Sequence, residues 1–152
     1  MIRFSDNLFS VGDVTDKHNQ VVSLYGFVWF GKIGQSISQA RIDILRSQIA
    51  NSRPTHVYLV KGNRQKSTFY QSNLLGITKT LSVKDRRFIP SYYKKFDLLK
   101  YMSTWIKLSE ITAIESSTMS KFKTVNSVFP ILETLVRSSS GYFLVHEAKN
   151  LY

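Results

Sequence analysis

The centre of the chain reads HVYLVK over His56–Lys61 and FYQSNLLGITKTL over Phe69–Leu81. Both stretches are rich in the β-branched and aromatic residues that favour extended backbone. Gly76 lies inside the second stretch, with residues suited to a strand on either side of it. We therefore predict two strands at the centre of the fold.

A third strand is predicted where the chain reads TWIKL, at Thr104–Leu108. Successive side chains of a strand point to opposite faces. Trp105 and Lys107 are therefore expected on one face, and Ile106 and Leu108 on the other.

The segments before these strands differ in composition and period. Residues 5–20 are polar and rich in turn residues, which predicts a lead-in rather than a core element. Val21–Phe30, VVSLYGFVWF, is apolar and β-branched and is predicted to be a strand. Ser36 and Gln39 have the spacing of a capping box, and apolar residues then recur at helical spacing until Asn51. This is the clearest predicted helix.

The C-terminal third is predicted to contain two helices and a last strand. The helices cover Ser117–Phe122 and Val128–Arg137, with Pro130 in the first turn of the second and Ile131, Leu132 and Leu135 facing inward, and the strand covers Tyr142–His146. Strands before, between and after a few helices, without regular alternation, favour an α+β fold. We predict one domain over residues 1–152: a small curled mixed β-sheet or β-barrel flanked by two to three helices.

The composition excludes several classes of protein. The chain has 152 residues, 43% of them hydrophobic, and no cysteine, so it can bury a core but has neither disulfides nor thiolate metal ligands. No apolar run approaches the roughly 18 residues of a membrane helix, so no membrane partner is expected. The first ten residues lack the pattern of an export signal, and a cytoplasmic location is expected.

The charge is positive and uneven. Lys and Arg number 21 against 10 Asp and Glu, a net charge of +11, which favours a polyanionic partner. Ten of the bases lie between Lys61 and Lys100, with only two acids. A solvated basic face kept for solubility is the alternative interpretation. The residues predicted to contact phosphates are Lys61, Arg64, Lys66, Lys79, Lys84, Arg86, Arg87, Lys94 and Lys95.

The chain also holds twenty aromatic residues, several of them beside polar or basic neighbours. Tyr25, Trp29 and Phe30 precede Lys32, and Tyr92 and Tyr93 precede two lysines. Aromatic faces stack on nucleobases, and neighbouring cations neutralise phosphates. For any single ring, a place in the core is the competing interpretation. The prediction of nucleic-acid binding therefore rests on the alternation of aromatic and basic residues, not on any one ring.

Sequence motifs for catalysis are weak. His18, His56 and His146 are far apart and lack metal-ligand spacing, so no metal or other cofactor is predicted. Glu147 and Lys149 have the E-x-K spacing of magnesium-dependent nucleases, with Glu133 as the only nearby acid. A small magnesium-dependent nuclease is therefore kept as an alternative function, and the preferred interpretation is that the chain is not an enzyme.

The order of the predicted elements resembles the PUA-like superfamily, in particular the EVE and YTH-type domains of McrBC-type modification-dependent restriction proteins. The resemblance covers roughly residues 20–137. It rests on NLLGITK at Asn73–Lys79 and on the strand WIKLSEI at Trp105–Ile111. GFVW at Gly26–Trp29 is similar to the G-V-W cage strand of these domains but does not reproduce it. It implies a curled barrel flanked by helices, with an aromatic cage that receives one extruded base.

The resemblance implies a role for each group of residues. Trp29, with Tyr25 or Phe30, would form the wall of the base pocket, and Ser72 and Asn73 would read the edge of the base. Tyr92 and Tyr93 would wedge into the gap that the base leaves, while the basic segment holds the phosphates.

We therefore predict a DNA-recognition domain that binds a methylated or flipped base in double-stranded DNA and targets a McrBC-type complex, with a downstream motor domain and a nuclease subunit as further partners. Alternatives are a B3-like barrel that reads unmodified DNA sequence and an RNA-binding PUA-like module.

Overall fold

The computed structural model describes residues 1–5, 12–62, 66–125, 128–138, 142 and 144–147. Its strands and helices are, in chain order, β1 (Ile2–Phe4), α1 (Val14–Tyr25), β2 (Val28–Ile33), α2 (Gln39–Ala50), β3 (His56–Gly62), β4 (Ser67–Thr78), α3 (Tyr92–Lys95), β5 (Met102–Leu108), β6 (Thr112–Ile114), α4 (Ser116–Met119), β7 (Phe122–Thr124), α5 (Ile131–Arg137) and β8 (Val145–Glu147). Two 3₁₀ helices, Val83–Phe88 and Leu99–Tyr101, flank α3.

The main sheet is mixed, as predicted. Its strand order is β1-β3-β4-β5-β2, with β6 also paired to β4, and β7 pairs with β8 in a separate small sheet. Among the described residues, β1 and β3 form the one parallel pair of the main sheet. The predicted α+β class with a small curled mixed sheet is therefore confirmed.

The long strand β4 is the central strand of the sheet and pairs with three other strands. Its first half pairs with β3, from Gly62 opposite Ser67 to His56 opposite Asn73, and its second half pairs with β5. The register shifts after Leu74, which is the signature of a bulge, and bulges increase the bend of a strand. The sheet curls enough that the terminal strands face each other, because the rings of Phe4 on β1 and Phe30 on β2 meet edge to face at 5.9 Å.

Both faces of the sheet bury apolar side chains. Val28 and Phe30 belong to the main core, together with Ile106 and Leu108 of β5. Trp29 points to the opposite face and belongs to a second cluster. The face assignment predicted for β5 is confirmed, because Trp105 lies in that second cluster.

The N-terminal prediction is wrong in two respects. Residues 5–20 are not only a lead-in, because helix α1 begins at Val14, and the strand predicted at Val21–Phe30 is helical up to Tyr25. Asp13 caps the helix by accepting the Asp16 N–H at 2.9 Å. Gly26 ends it with a left-handed φ of 79°. The valines of this segment therefore serve a helix that packs beside β2.

The later predicted elements are present with shifted ends, but β6 and β7 were not predicted, and Phe122, predicted as the end of a helix, begins β7. The helix α2 is capped by Ser38 rather than Ser36, whose hydroxyl instead donates to the Ser103 carbonyl at 3.2 Å. Pro130 precedes α5 rather than lying in its first turn, and the last strand begins at Val145. Within the described ranges, no helix is long and apolar enough to cross a membrane.

Candidate nucleic-acid interface

Residues 79–101, here called the basic cap, fold over the outer face of β2, β4 and β5. The cap consists of three short helices, and its inner side is apolar. Five of its side chains pack on Trp29 and Trp105 of the sheet: Leu81, Ile89, Tyr92, Tyr93 and Leu98. This burial fixes the cap to the sheet and leaves its other side to solvent.

The solvent side of the cap carries cations without acidic partners. Six are exposed and form no ion pair with any residue that the structure describes: Lys79, Lys84, Arg86, Arg87, Lys94 and Lys95. Lys100 differs, because its Nζ lies 2.7 Å from the Asp97 carboxylate, which raises the pKa of the lysine. Cations that are close together and not neutralised repel one another, and a polyanion relieves this repulsion.

Two of these cations border a small pocket in the cap. Lys79 and Arg86 line a space of about 150 Å³ together with Thr80 and Trp105. A phosphate group in this pocket would contact two positive charges and a hydroxyl-bearing residue. The pocket therefore suits an anion of the nucleic-acid backbone.

The remaining predicted phosphate contacts lie elsewhere. Lys61 lies near the end of β3 and Lys66 directly precedes β4, and Arg64 lies outside the described residues. The 12 residues of β4 separate Lys66 from Lys79, roughly 40 Å along the strand. Lys61 is also engaged by Asp13, with 3.3 Å between its Nζ and the carboxylate. The structure therefore places Lys61 and Lys66 at one end of strand β4 and the cations of the cap at the other end.

A cavity opens where β1 and β2 face each other, and we call it the seam cavity. Its volume is about 250 Å³. Four aromatic side chains line it: Phe4, Phe30, Tyr92 and Tyr93. Arg3 and Lys32 add positive charge to its wall. The cap thus contributes two tyrosines to the cavity as well as cations to the surface.

A chain of hydrogen bonds fixes Tyr93 in this wall. The Gly31 N–H donates to the Tyr93 hydroxyl at 2.9 Å, and that hydroxyl lies 3.3 Å from His18 Nε2. His18 Nδ1 lies 2.7 Å from the Val14 carbonyl, which can only accept, so Nδ1 carries the proton and Nε2 accepts from Tyr93. Burial lowers the pKa of His18 to about 4 and raises the pKa of Tyr93 to about 12. Both groups are therefore neutral at physiological pH.

Lys32 is held rigidly at the other side of the cavity. Its ammonium donates to the carbonyls of Ile33, at 3.1 Å, and Gln35. It also lies 5.1 Å from the centre of the Tyr142 ring. Burial lowers the pKa of this lysine. The cavity therefore has a fixed hydrogen-bonding group next to its aromatic walls.

The aromatic residues predicted for one base pocket are separated by the structure. Trp29 and Phe30 point to opposite faces of β2. Trp29 is only 8% exposed, whereas Tyr25 is 48% exposed at the end of α1. Phe30 alone of the three lines the seam cavity. One wall built from Trp29 and Phe30 is thus excluded by strand geometry.

The two residues predicted to read the edge of the base form hydrogen bonds within the protein. The buried Ser72 donates its hydroxyl to the Ser109 carbonyl at 2.9 Å. Asn73 is exposed, and its side-chain oxygen lies 3.0 Å from His56 Nδ1. Neither residue lines the seam cavity, so the structure does not bring them to Phe30.

Tyr92 and Tyr93 are not placed to act as the predicted wedge. Both side chains are buried, and their rings stack at 4.5 Å under the cap. A side chain that enters a base stack must be exposed, so these residues serve as cavity walls instead. Lys32 was not among the predicted site residues, although it lies two and four residues after the core-facing Phe30 and Val28, where a period of two places it inward.

The acids of the alternative nuclease site form separate ion pairs. Glu147 is exposed and lies 3.3 Å from the Lys121 ammonium, and Glu133 pairs with Arg137. Lys149 lies outside the described residues. In the described part of the chain, no group of three or more metal-ligating side chains could hold an ion.

The fold and the two sites define a small α+β domain with an aromatic cavity and a basic cap. A family model described as Pua-like matches residues 1–143, and the chain therefore belongs to the Pua-like family. Comparisons with curated proteins and with solved structures returned no match. Membership of this family supports nucleic-acid recognition.

Proposed function

We propose that this protein is a DNA-recognition domain in which the basic cap contacts the phosphate backbone of a duplex. The observation that carries the proposal is the set of six exposed cations on the cap that lack acidic partners in the described structure. The cap is anchored by its buried inner side, so the backbone that carries these charges is held on the sheet. Phosphate contacts of this kind position a duplex but do not read its sequence.

We further propose that the seam cavity receives one base that has been flipped out of the duplex, in particular a methylated base. Drug-sized ligands occupy pockets of about 300–1,000 Å³, and a cavity of about 250 Å³ suits a single planar ring better than a whole nucleotide. The rings of Phe4 and Phe30 offer stacking surfaces, and the Lys32 ammonium offers a donor. Stacking and edge contacts together offset the few kcal/mol needed to remove a base from its stack.

In this proposal the domain selects the site and does no chemistry itself. It targets a McrBC-type restriction complex, and a motor domain and a nuclease subunit supply cleavage. Incubating plasmid DNA with pure protein and magnesium tests the alternative nuclease. Cleavage that depends on Glu147 would replace the recognition proposal with an enzymatic one.

Blocking the seam cavity tests base recognition. Ile33 is 39% exposed and lines the cavity, so Ile33→Trp is expected to fill its mouth without disturbing the core. Ile44 is 53% exposed on α2 and does not line the cavity, so Ile44→Trp is the matched control. Each variant is titrated with duplexes that differ only in one methylated cytosine or adenine.

Wild type and Ile44→Trp should bind the modified duplex more tightly, and Ile33→Trp should bind both duplexes equally. Equal affinity of the wild type for both duplexes would contradict modification reading and favour the B3-like alternative. Tighter binding of an RNA of the same sequence would favour the RNA-binding alternative.

A further inference from the structure

Three aromatic rings form a partly exposed group beside the cap, which we call the aromatic ledge: Tyr25, Phe27 and Phe88. The Tyr25 and Phe88 rings meet edge to face at 5.0 Å, and the Phe27 and Phe88 rings lie 4.7 Å apart. About half of Tyr25 is exposed. None of the three rings lines the seam cavity, so the ledge is a separate surface.

The local backbone explains why these rings meet. Helix α1 ends at Tyr25, and Gly26 then turns the chain with a left-handed φ. Phe27 follows immediately and packs at the edge of the cluster beneath the cap. Phe88 ends the first 3₁₀ helix of the cap. The ledge thus joins the end of α1 to the cap.

Two cations lie over the ledge. The Lys107 ammonium is 3.9 Å from the centre of the Phe27 ring, and the Arg87 guanidinium is 4.5 Å from the centre of the Phe88 ring. Neither cation forms an ion pair with a residue that the structure describes. The rings orient these side chains and leave their charges unneutralised.

We propose that the aromatic ledge binds an unpaired nucleobase of a single-stranded segment that continues from the duplex on the cap. This inference rests on the proposed function and adds a second contact to it. The exposed tyrosine ring supplies a stacking surface that accepts any base, and Lys107 and Arg87 neutralise the adjoining phosphates. Arg86 and Arg87 directly precede Phe88, so one strand can pass from the cap to the ledge.

The charge of the surface selects this occupant. An apolar protein partner would leave Lys107 and Arg87 buried without counter-charges, which is costly. The carboxylates of an acidic peptide would neutralise the cations, but they would not stack on the ring of Tyr25. Each nucleotide of a single strand carries both a base and a phosphate and therefore uses the two features together.

The experiment compares three DNA ligands: a blunt duplex, the same duplex with a three-nucleotide overhang, and that duplex with an overhang of abasic nucleotides. Wild type should bind the overhang about tenfold more tightly than the blunt end, and the abasic overhang should lose most of this gain. Tyr25→Ala should abolish the gain, whereas Tyr25→Phe, which keeps the ring, should retain it.

Tyr101→Ala is the matched control, because Tyr101 is also exposed, with a lysine 5.2 Å from its ring centre. Tyr101 ends the cap and is not part of the ledge, and the gain compares two ligands that the same cap holds. This variant should keep the overhang gain. Equal binding of blunt and overhang duplexes by wild type would overturn the proposal for the ledge and leave the proposal for the cap intact. Loss of the gain in Tyr101→Ala but not in Tyr25→Ala, or an equal gain with the abasic overhang, would also overturn it. Binding of none of the three ligands would overturn both proposals.

Discussion

The Tyr93 hydroxyl accepts the Gly31 N–H at 2.9 Å, which joins the basic cap to strand β2. The same hydroxyl donates to His18 Nε2 at 3.3 Å, so one side chain links the cap, the sheet and helix α1. Tyr93 also lines the seam cavity. The position of the cap and the shape of the cavity therefore depend on the same contact.

Tyr93→Phe removes this contact and keeps the ring. His18 Nε2 and the Gly31 N–H then lack a partner, and we expect a loss of about 1–3 kcal/mol in the free energy of unfolding. Urea denaturation measures it. Tyr101→Phe changes an exposed tyrosine and should lie within about 0.5 kcal/mol of wild type. Equal stability of the two variants would show that the Tyr93 hydroxyl does not hold the cap.

His18 makes stability depend on pH. Its pKa is about 4 in the folded protein against an ordinary 6.5, so between these values the unfolded chain binds the extra proton. The contribution to stability is complete above pH 6.5 and falls as the pH drops towards 4, by up to about 1.4 kcal/mol per pH unit. The hydrogen bond from the Asp16 N–H lowers the pKa of Asp13 from 3.8, so Asp13 changes the free energy of unfolding only at lower pH.

The measurement is the urea midpoint at pH 7, 6 and 5. His18→Gln cannot titrate in this range and should have a weaker pH dependence than wild type. An unchanged dependence in the variant would assign the effect to other groups.

Trp29→Ala is expected to act on stability rather than on base selection. Trp29 is buried in the same apolar cluster as the inner side of the cap, and removing such a side chain costs about 3–5 kcal/mol. Its Nε1 has no hydrogen-bond partner in the described part of the chain, so Trp29→Phe should be milder. Thermal melts and duplex titrations of both variants test this. Loss of modified-base preference in a fully stable Trp29→Phe protein would contradict the core role.

Local patterns were sufficient for part of the fold. Strands β3 and β5 combine β-branched or aromatic residues with a period of two, and helix α2 has a serine cap and helical spacing. The cations of the cap were named as candidate phosphate contacts because their charge lies in one short segment of the sequence. These features depend on neighbours in the sequence.

The remaining features depend on distant contacts. The residues of α1 include Val21 and Val22, which favour strands, and only Asp13 and Gly26 marked the ends of a helix. Strand β1 forms through a parallel pairing of Ile2 with Leu59, which has no local signal. The seam cavity exists because β1 and β2 approach each other across the curl, so Phe4 could not be assigned to it from the sequence.

The central claim is that the cap holds a phosphate backbone, and the salt dependence of duplex binding tests it most directly. Arg86→Ala with Arg87→Ala should weaken binding to all sequences and lower the slope of log K against log salt by about two. Lys17→Ala with Arg53→Ala removes the same charge from exposed positions outside the cap and should leave the slope close to that of wild type. An unchanged slope in the cap variant, or an equal fall in both, would contradict the account.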